Sequence, residues 1–173
     1  MREIKFRAKP NKAYFFESDN VPTTDGFVFG TPDTRMLNVP GAEKWRKGHE
    51  MVDQPSIVAM TRDGWPTSVA VLEETIGQFS GLQDKTGRDI YEGDILRWDK
   101  DQKLYVVVFR SGMFYASVEP CNPRIYGGFP LWCLCEEEQH CTIVGNIYDN
   151  PELLKNLPGD SPLTDRKREE YKD

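Results

Sequence analysis

The N-terminal residues alternate between apolar and polar side chains. Ile4, Phe6 and Ala8 fall on one side of an extended chain, whereas Lys5 and Arg7 fall on the other. A repeat of two residues is typical of a strand with one face against a core and one face in water. The pattern therefore predicts that the chain begins with a β-strand paired into a sheet.

The next forty residues are less regular because prolines and glycines interrupt residues 9–50. Aromatic residues such as Phe27 and Phe29 still require burial. We expect short strands joined by loops here, with one helical turn near residues 42–47.

Alternation becomes clear from Ser56 onward. Turn-forming pairs such as Asp63-Gly64 and Ser111-Gly112 separate the apolar runs, so the first two runs are expected to form a hairpin. The predicted strands are 57–61, 67–72, 75–80, 95–98, 104–109, 113–118, 131–135 and 142–148.

A short helix is predicted near the C-terminus. Asn150 can cap it, Pro151 suits the first helical position, and Pro158-Gly159 ends it. Residues 158–173 are expected to form a charged, solvated tail.

Together these elements predict a mainly β protein. Short strands with frequent turns are typical of a small barrel or sandwich, and residues 75–157 have about the strand number of an SH3-like barrel followed by a short helix. Residues 1–74 would form an elaborated N-terminal β region packed on that core.

Charge and hydropathy narrow the class of protein. The chain has 173 residues and a formal net charge of -6, which disfavours a protein that coats nucleic acid. Residues 1–8 have no apolar run long enough for a signal peptide, and no later run approaches the roughly 20 apolar residues of a membrane span. We therefore expect a cytoplasmic protein with no membrane partner.

Four cysteines raise the question of a metal site. Cys121, Cys133, Cys135 and Cys141 lack the paired C-x2-C spacing of strong zinc ligands. Reduced thiols on strand faces are the favoured interpretation, so no metal is predicted, although the spacing leaves metal binding open.

The carboxylates Asp84, Asp89, Glu92 and Asp94 form the densest group of potentially catalytic side chains. Such a group can hold a cation or share a proton. However, Asp84 and Asp94 lie near glycines at predicted corners, where Asp side chains bind nearby backbone amides. Turn formation explains these residues better, and we predict no catalytic residues and no cofactor.

Basic residues leave one alternative open. Residues 1–12 carry five positive charges and one negative charge. A nucleic-acid surface would use Arg2, Lys5, Arg7 and the aromatic ring of Trp98. The net negative charge of the chain disfavours this alternative.

Three segments of the sequence carry a recognisable motif: MREIKFRA at the start, IGQFSGLQDKTGRDIYEGDILRW at residues 76–98, and IVGNIYDNPELL at residues 143–154. Together they resemble the YopX family of phage and prophage proteins. The resemblance implies a largely β fold with an SH3-type barrel, and it supplies no catalytic residues.

The recognisable positions of these segments suit structural roles. They are Gly81, Asp84, Gly87, Tyr91, Gly93, Asp94, Gly145, Asn146 and Asn150. Glycines permit a positive φ or a close approach of backbones at corners, while Asp and Asn brace turns.

The resemblance implies an accessory protein of a phage or prophage in the bacterial host cytoplasm, and the lack of a catalytic motif favours one that works by binding or self-assembly. Its partner is an unknown protein or a second copy of itself, since strand edges in a small barrel invite pairing. A nucleic-acid-binding small β-barrel is the alternative, and an enzyme is disfavoured.

Overall fold

A computed structural model of the protein describes residues 4–12, 20–32, 55–118, 128–135 and 141–154. The chain divides into two compact units, Met1–Phe79 and Ser80–Asp173. In both units the strands pair antiparallel, which confirms the prediction of a mainly β fold.

The first unit is an antiparallel sheet with the strand order β4-β3-β2-β1-β5. Its elements are β1 (Phe6–Ala8), β2 (Val28–Pro32), β3 (Ser56–Met60), β4 (Pro66–Ala70), a 3-10 helix (Glu73–Thr75) and the start of β5 (Gly77–Gln83). Buried Ala8, Val28, Ile57 and Val71 form the centre of its core. The predicted hairpin forms, because β3 and β4 pair in register from Ser56–Ala70 to Met60–Pro66.

The first strand differs from its predicted pattern. Arg7 is only 8% exposed, whereas Ile4, expected to face the core, is 66% exposed. Both edges of β1 pair with strands, β2 and β5, and on the face expected to meet water the centre of the Phe27 ring lies 4.5 Å from Arg7 Cζ. Ile4 precedes the strand, which begins at Phe6. Alternation in the sequence does not reveal this second covered face.

The second unit contains a five-stranded antiparallel sheet with the order β10-β9-β8-β7-β11. Its elements are β6 (Asp89–Tyr91), β7 (Asp94–Trp98), β8 (Leu104–Arg110), β9 (Met113–Ser117), β10 (Gly128–Pro130), α1 (Trp132–Cys135), β11 (Cys141–Asn146) and a 3-10 helix (Pro151–Leu154). The end of β5 continues into this unit and pairs with β6. The core includes Leu96, Val107, Leu131 and Leu134.

The predicted strand at 131–135 is wrong, because Trp132–Cys135 is helical. Leu131 and Leu134 are both almost completely buried. A spacing of three residues places two side chains on the same face of a helix but on opposite faces of a strand. The short apolar run is compatible with the periodicity of a strand or of a helix, and burial of both leucines in one core selects the helix.

The C-terminal helix is described only in part. The described portion is the 3-10 helix Pro151–Leu154. The rest of the predicted helix and the charged tail at 158–173 lie outside the described residues, as does the helical turn expected near 42–47.

The strands of the described ranges form open antiparallel sheets and do not close into a barrel. None of the helices in those ranges is long and apolar enough to cross a membrane.

Candidate functional site

The turn that follows β5 is built around the carboxylate of Asp84. Its Oδ1 accepts the backbone N–H of Thr86 at 2.8 Å, the Thr86 hydroxyl at 2.6 Å and the backbone N–H of Arg88 at 3.1 Å. Gly87, with φ +81°, closes the turn by donating its N–H to the Asp84 carbonyl at 2.9 Å. One short acidic side chain thus satisfies several donors that the reversal leaves unpaired.

The same carboxylate joins this turn to β11. Asp84 Oδ2 accepts the backbone N–H of Ile143 at 3.0 Å and lies 3.2 Å from Arg88 Nη2. The Arg88 guanidinium also donates to the Ile143 carbonyl. Asp84 and Arg88 therefore bind the N–H and the carbonyl of Ile143, which lies 59 residues after Asp84 in the sequence.

The surroundings of Asp84 favour its ionised form. Its side chain is fully buried, which by itself raises the pKa of a carboxyl group. Hydrogen bonds from Thr86, Ile143 and Arg88 outweigh burial and lower the pKa of Asp84 from 3.8 to about 2. A carboxylate so strongly stabilised is a poor base at neutral pH.

Gly93 forms the corner between β6 and β7 with φ +83°. Its N–H donates to the Val107 carbonyl, and its carbonyl accepts the Ile147 N–H, both at 2.9 Å. A Cβ at this position would lie 3.2 Å from Cε2 of Tyr148. Glycine is required here by the positive φ and by the neighbouring ring.

The remaining residues of the central motif support the same corners. Asp94 is 1% exposed, and its Oδ2 accepts the backbone N–H of buried Tyr91 at 2.8 Å. Gly81 has φ +85° within β5. Each of these positions serves the path of the backbone.

The last motif is a compact unit in which Gly145, Asn146 and Asn150 interlock. Asn146 Oδ1 accepts the backbone N–H groups of Tyr148 and Asp149, both at 3.0 Å. Asn150 Oδ1 accepts the Asn146 N–H at 3.3 Å, so this side chain turns back to β11. A Cβ on Gly145 would lie 2.4 Å from that Asn150 oxygen, which only glycine avoids.

Trp98 lies in a cluster of aromatic rings. Its ring centroid is 6.2 Å from that of Tyr105 and 5.6 Å from that of Phe129, and Lys100 Nζ lies 5.4 Å above it. The Tyr105 hydroxyl donates to Asp101 Oδ2 at 2.8 Å. Burial, this hydrogen bond and the Asp101 charge raise the pKa of Tyr105 to about 12. Trp98 is half-buried, so part of its ring faces solvent.

The basic residues of the first strand contact aromatic rings in the first unit. Lys5 Nζ lies 4.4 Å from the centre of the Phe79 ring, and Arg7 Cζ lies 4.5 Å from that of Phe27. Burial of Arg7 removes its guanidinium from the open surface. Arg2 lies outside the described residues.

Two of the cysteines lie close together. The Sγ atoms of Cys135 and Cys141 are 3.8 Å apart, and Cys133 is a free, half-buried thiol. Across the described ranges, no three His, Cys, Asp or Glu side chains are placed to hold a metal ion. Cys121 and His140 lie outside those ranges.

Sequence reasoning missed the partners that complete these networks. Arg88 and Thr86 act on the Asp84 carboxylate, and their signal was the D-x-T-G-R spacing of the turn. Nothing in the sequence indicates that Ile143 receives the other carboxylate oxygen, because that contact depends on the tertiary fold.

Comparison with known proteins agrees with the motifs described above. The YopX family, described as YopX protein, matches residues 34–155. The chain is also similar to the crystal structure of protein EF1440 from Enterococcus faecalis, with 22% identity and a TM-score of 0.47, over 89% of this chain and 99% of that chain. No curated protein sequence matches significantly. Because the family match spans well over half of the chain, this protein belongs to the YopX family.

Proposed function

We propose that the protein works by binding, through contacts with another protein or with a second copy of itself, and not by catalysis. The observation that carries this proposal is the use of the motif's polar groups. The oxygens of Asp84, Asp94, Asn146 and Asn150 accept backbone N–H groups at corners. A motif used in this way builds a rigid scaffold, and a scaffold acts through its surface.

The hairpin of β8 and β9 supplies a contact surface in the second unit. Phe109 is 39% exposed and Met113 is 43% exposed near its tip, on opposite faces of the hairpin, because Phe109 pairs with Phe114 and Met113 with Arg110. Ser111 and Gly112 both have positive φ, as in the tight two-residue turns of hairpins, and the Phe109 ring packs 4.8 Å from that of Phe114. Large apolar side chains held on a stiff hairpin are typical of protein contacts.

Light scattering tests the self-association form of the proposal. We expect the mass of the wild type to exceed that of a monomer as concentration rises, and the double variant Phe109→Ser, Met113→Ser to remain monomeric. Met60→Ser with Trp65→Ser is the matched control, since it removes two exposed apolar side chains from the first unit. Circular dichroism checks that both variants fold.

A monomeric wild type at every concentration would rule out self-association. Co-purification of bound proteins from infected bacterial cells then tests binding to another protein, with the wild type and the same two double variants compared side by side. Equal capture by the wild type and the hairpin variant would contradict the proposed surface.

Nucleic-acid binding is the second candidate, supported by the partly exposed ring of Trp98 beneath Lys100. Stacking of bases on aromatic rings beside cations is a common mode of single-strand binding. Burial of Arg7 and the net charge of -6 weigh against it. A gel shift with single-stranded DNA or RNA that weakens with salt and with Trp98→Ala would support this candidate, and no shift at low salt would remove it.

We further propose a phage or prophage origin, action in the host cytoplasm and an SH3-like barrel in the second unit. The family resemblance supports the origin, which genomic neighbours would test. The antiparallel run β7-β8-β9-β10 supports the barrel. An experimental structure covering residues 119–127 and 136–140 would show whether the barrel closes.

A further inference from the structure

The thiols of Cys135 and Cys141 are brought together by two elements that are each anchored in the core. Cys135 ends α1, which is held by Leu131 and Leu134, with exposed fractions of 1% and 0%. Cys141 begins β11, where it pairs with Trp98. The proximity of the two sulfurs therefore follows from the packing of a helix and a strand.

We propose that Cys135 and Cys141 form a reversible dithiol–disulfide pair that a hydroperoxide oxidises. Their Sγ atoms are 3.8 Å apart, and a disulfide requires about 2.05 Å. The sulfurs are already in contact, so a small adjustment of one or both side chains would allow the bond to form.

The two thiols are not equivalent. Cys135 is partly exposed, and a hydrogen bond from Cys141 lowers the pKa of Cys135. Cys141 is completely buried, and its contact with Cys135 together with burial raises the pKa of Cys141. Because the thiolate is the nucleophile, Cys135 reacts first with an external oxidant and Cys141 completes the bond.

The reaction balances in two steps. The Cys135 thiolate attacks one oxygen of the hydroperoxide, so that an S–O bond forms and the O–O bond breaks. The leaving alkoxide, or hydroxide when the oxidant is hydrogen peroxide, takes a proton from solvent to become an alcohol or water. The Cys141 sulfur then attacks the Cys135 sulfur, so that the S–S bond forms and the S–O bond breaks. The sulfenic oxygen leaves as water with the Cys141 proton, and two electrons have passed from sulfur to oxygen.

Cys133 provides an internal control. It lies two residues before Cys135 on α1, and side chains separated by two positions do not face each other on a helix. The bond between Cys135 and Cys141 would fasten α1 to β11 close to the Asp84 turn, because the Cys141 carbonyl accepts the Lys85 N–H at 3.0 Å.

The test is oxidation of the reduced full-length protein by hydrogen peroxide, followed by alkylation of free thiols and peptide mass spectrometry. We expect a Cys135–Cys141 disulfide in the wild type and in Cys133→Ser, and none in Cys135→Ser. A dithiol reductant should restore both thiols. Before oxidation, Cys135 should react with iodoacetamide at least about tenfold faster than Cys141.

The same oxidation in urea shows whether the fold directs the pairing. An unfolded chain should give a mixture of all pairings, whereas the folded chain should give one. Predominant pairing through Cys121 or Cys133 in the folded protein would overturn the proposal. Oxidation of Cys135 to sulfinic acid without a disulfide would overturn it as well.

Discussion

The carboxylate of Asp84 should be the most sensitive side chain of the second unit. It is fully buried and accepts hydrogen bonds from Thr86, Arg88 and Ile143. Replacement by Asn keeps one acceptor but directs an N–H₂ group towards donors. We therefore expect Asp84→Asn to destabilise the protein without changing the size of the side chain.

The magnitude follows from the pKa of the group. Asp84 titrates at about 2 in the folded protein, against an ordinary value of 3.8. Each unit corresponds to about 1.4 kcal/mol, so the folded state favours the anion by about 2 kcal/mol. We expect Asp84→Asn to lower the free energy of unfolding by about 2 kcal/mol at pH 7, and Asp84→Ala by about 3 kcal/mol.

Urea unfolding followed by circular dichroism measures this loss. A change of about 2 kcal/mol moves the midpoint by about 1 M when the slope is about 2 kcal/mol per M. Because the folded pKa is depressed, the contribution is fully present above about pH 5 and declines as the pH falls through 3.8 and then through about 2. Asp84→Asn should lose less stability than the wild type over this pH range, although Asp101, whose pKa is also lowered, still contributes to the decline.

Asp99→Asn is the matched control, because Asp99 pairs with Lys85 at 2.6 Å on the surface with about a third of its side chain exposed. Such pairs contribute about 0–1 kcal/mol. The reasoning would be refuted if Asp84→Asn and Asp99→Asn cost the same, or if Asp84→Asn retained the wild-type loss of stability between pH 4 and pH 2.

Three further predictions concern neighbouring residues. Gly145→Ala should lower the free energy of unfolding, measured in urea, by about 2 kcal/mol, because the new Cβ collides with Asn150. Adding Asn150→Ala should recover part of this loss. If the effects of the two substitutions simply add, the contact is contradicted. Gly93→Ala should lower the free energy of unfolding more than Gly112→Ala, since both glycines have positive φ but only at Gly93 would a Cβ contact a side chain, that of Tyr148. Equal losses of stability in the two variants would contradict this. Ultraviolet titration should show an ionisation near pH 12 that disappears in Tyr105→Phe, and an unchanged curve would reject that assignment.

The sequence contains enough local information to predict several turns and strands. The Asp63-Gly64 hairpin follows from residues adjacent in the chain, because alternation and a positive-φ glycine specify it locally. The runs that became β7, β8 and β9 were also recognisable, since β-branched and aromatic residues recur between turn signals.

Other features were decided by the tertiary structure. Leu131–Cys135 fits either a strand or a helix, and burial of Leu131 and Leu134 on one side selects the helix. Arg7 has the position of a solvent-facing residue, yet a strand on each side and the Phe27 ring enclose it. Both outcomes depend on which segments pack together, and a local pattern does not specify that.

The candidate site divides in the same way. By itself, the sequence determined that Asp84 and Gly87 form a turn, because Asp84 accepts hydrogen bonds from residues at most four positions away and Gly87 permits the positive φ of the turn. Only the tertiary structure placed Ile143 on the Asp84 carboxylate and Cys141 beside Cys135, across separations of 59 and 6 residues. Contacts of this kind form when separate strands and helices share a core, so burial and backbone pairing decide them.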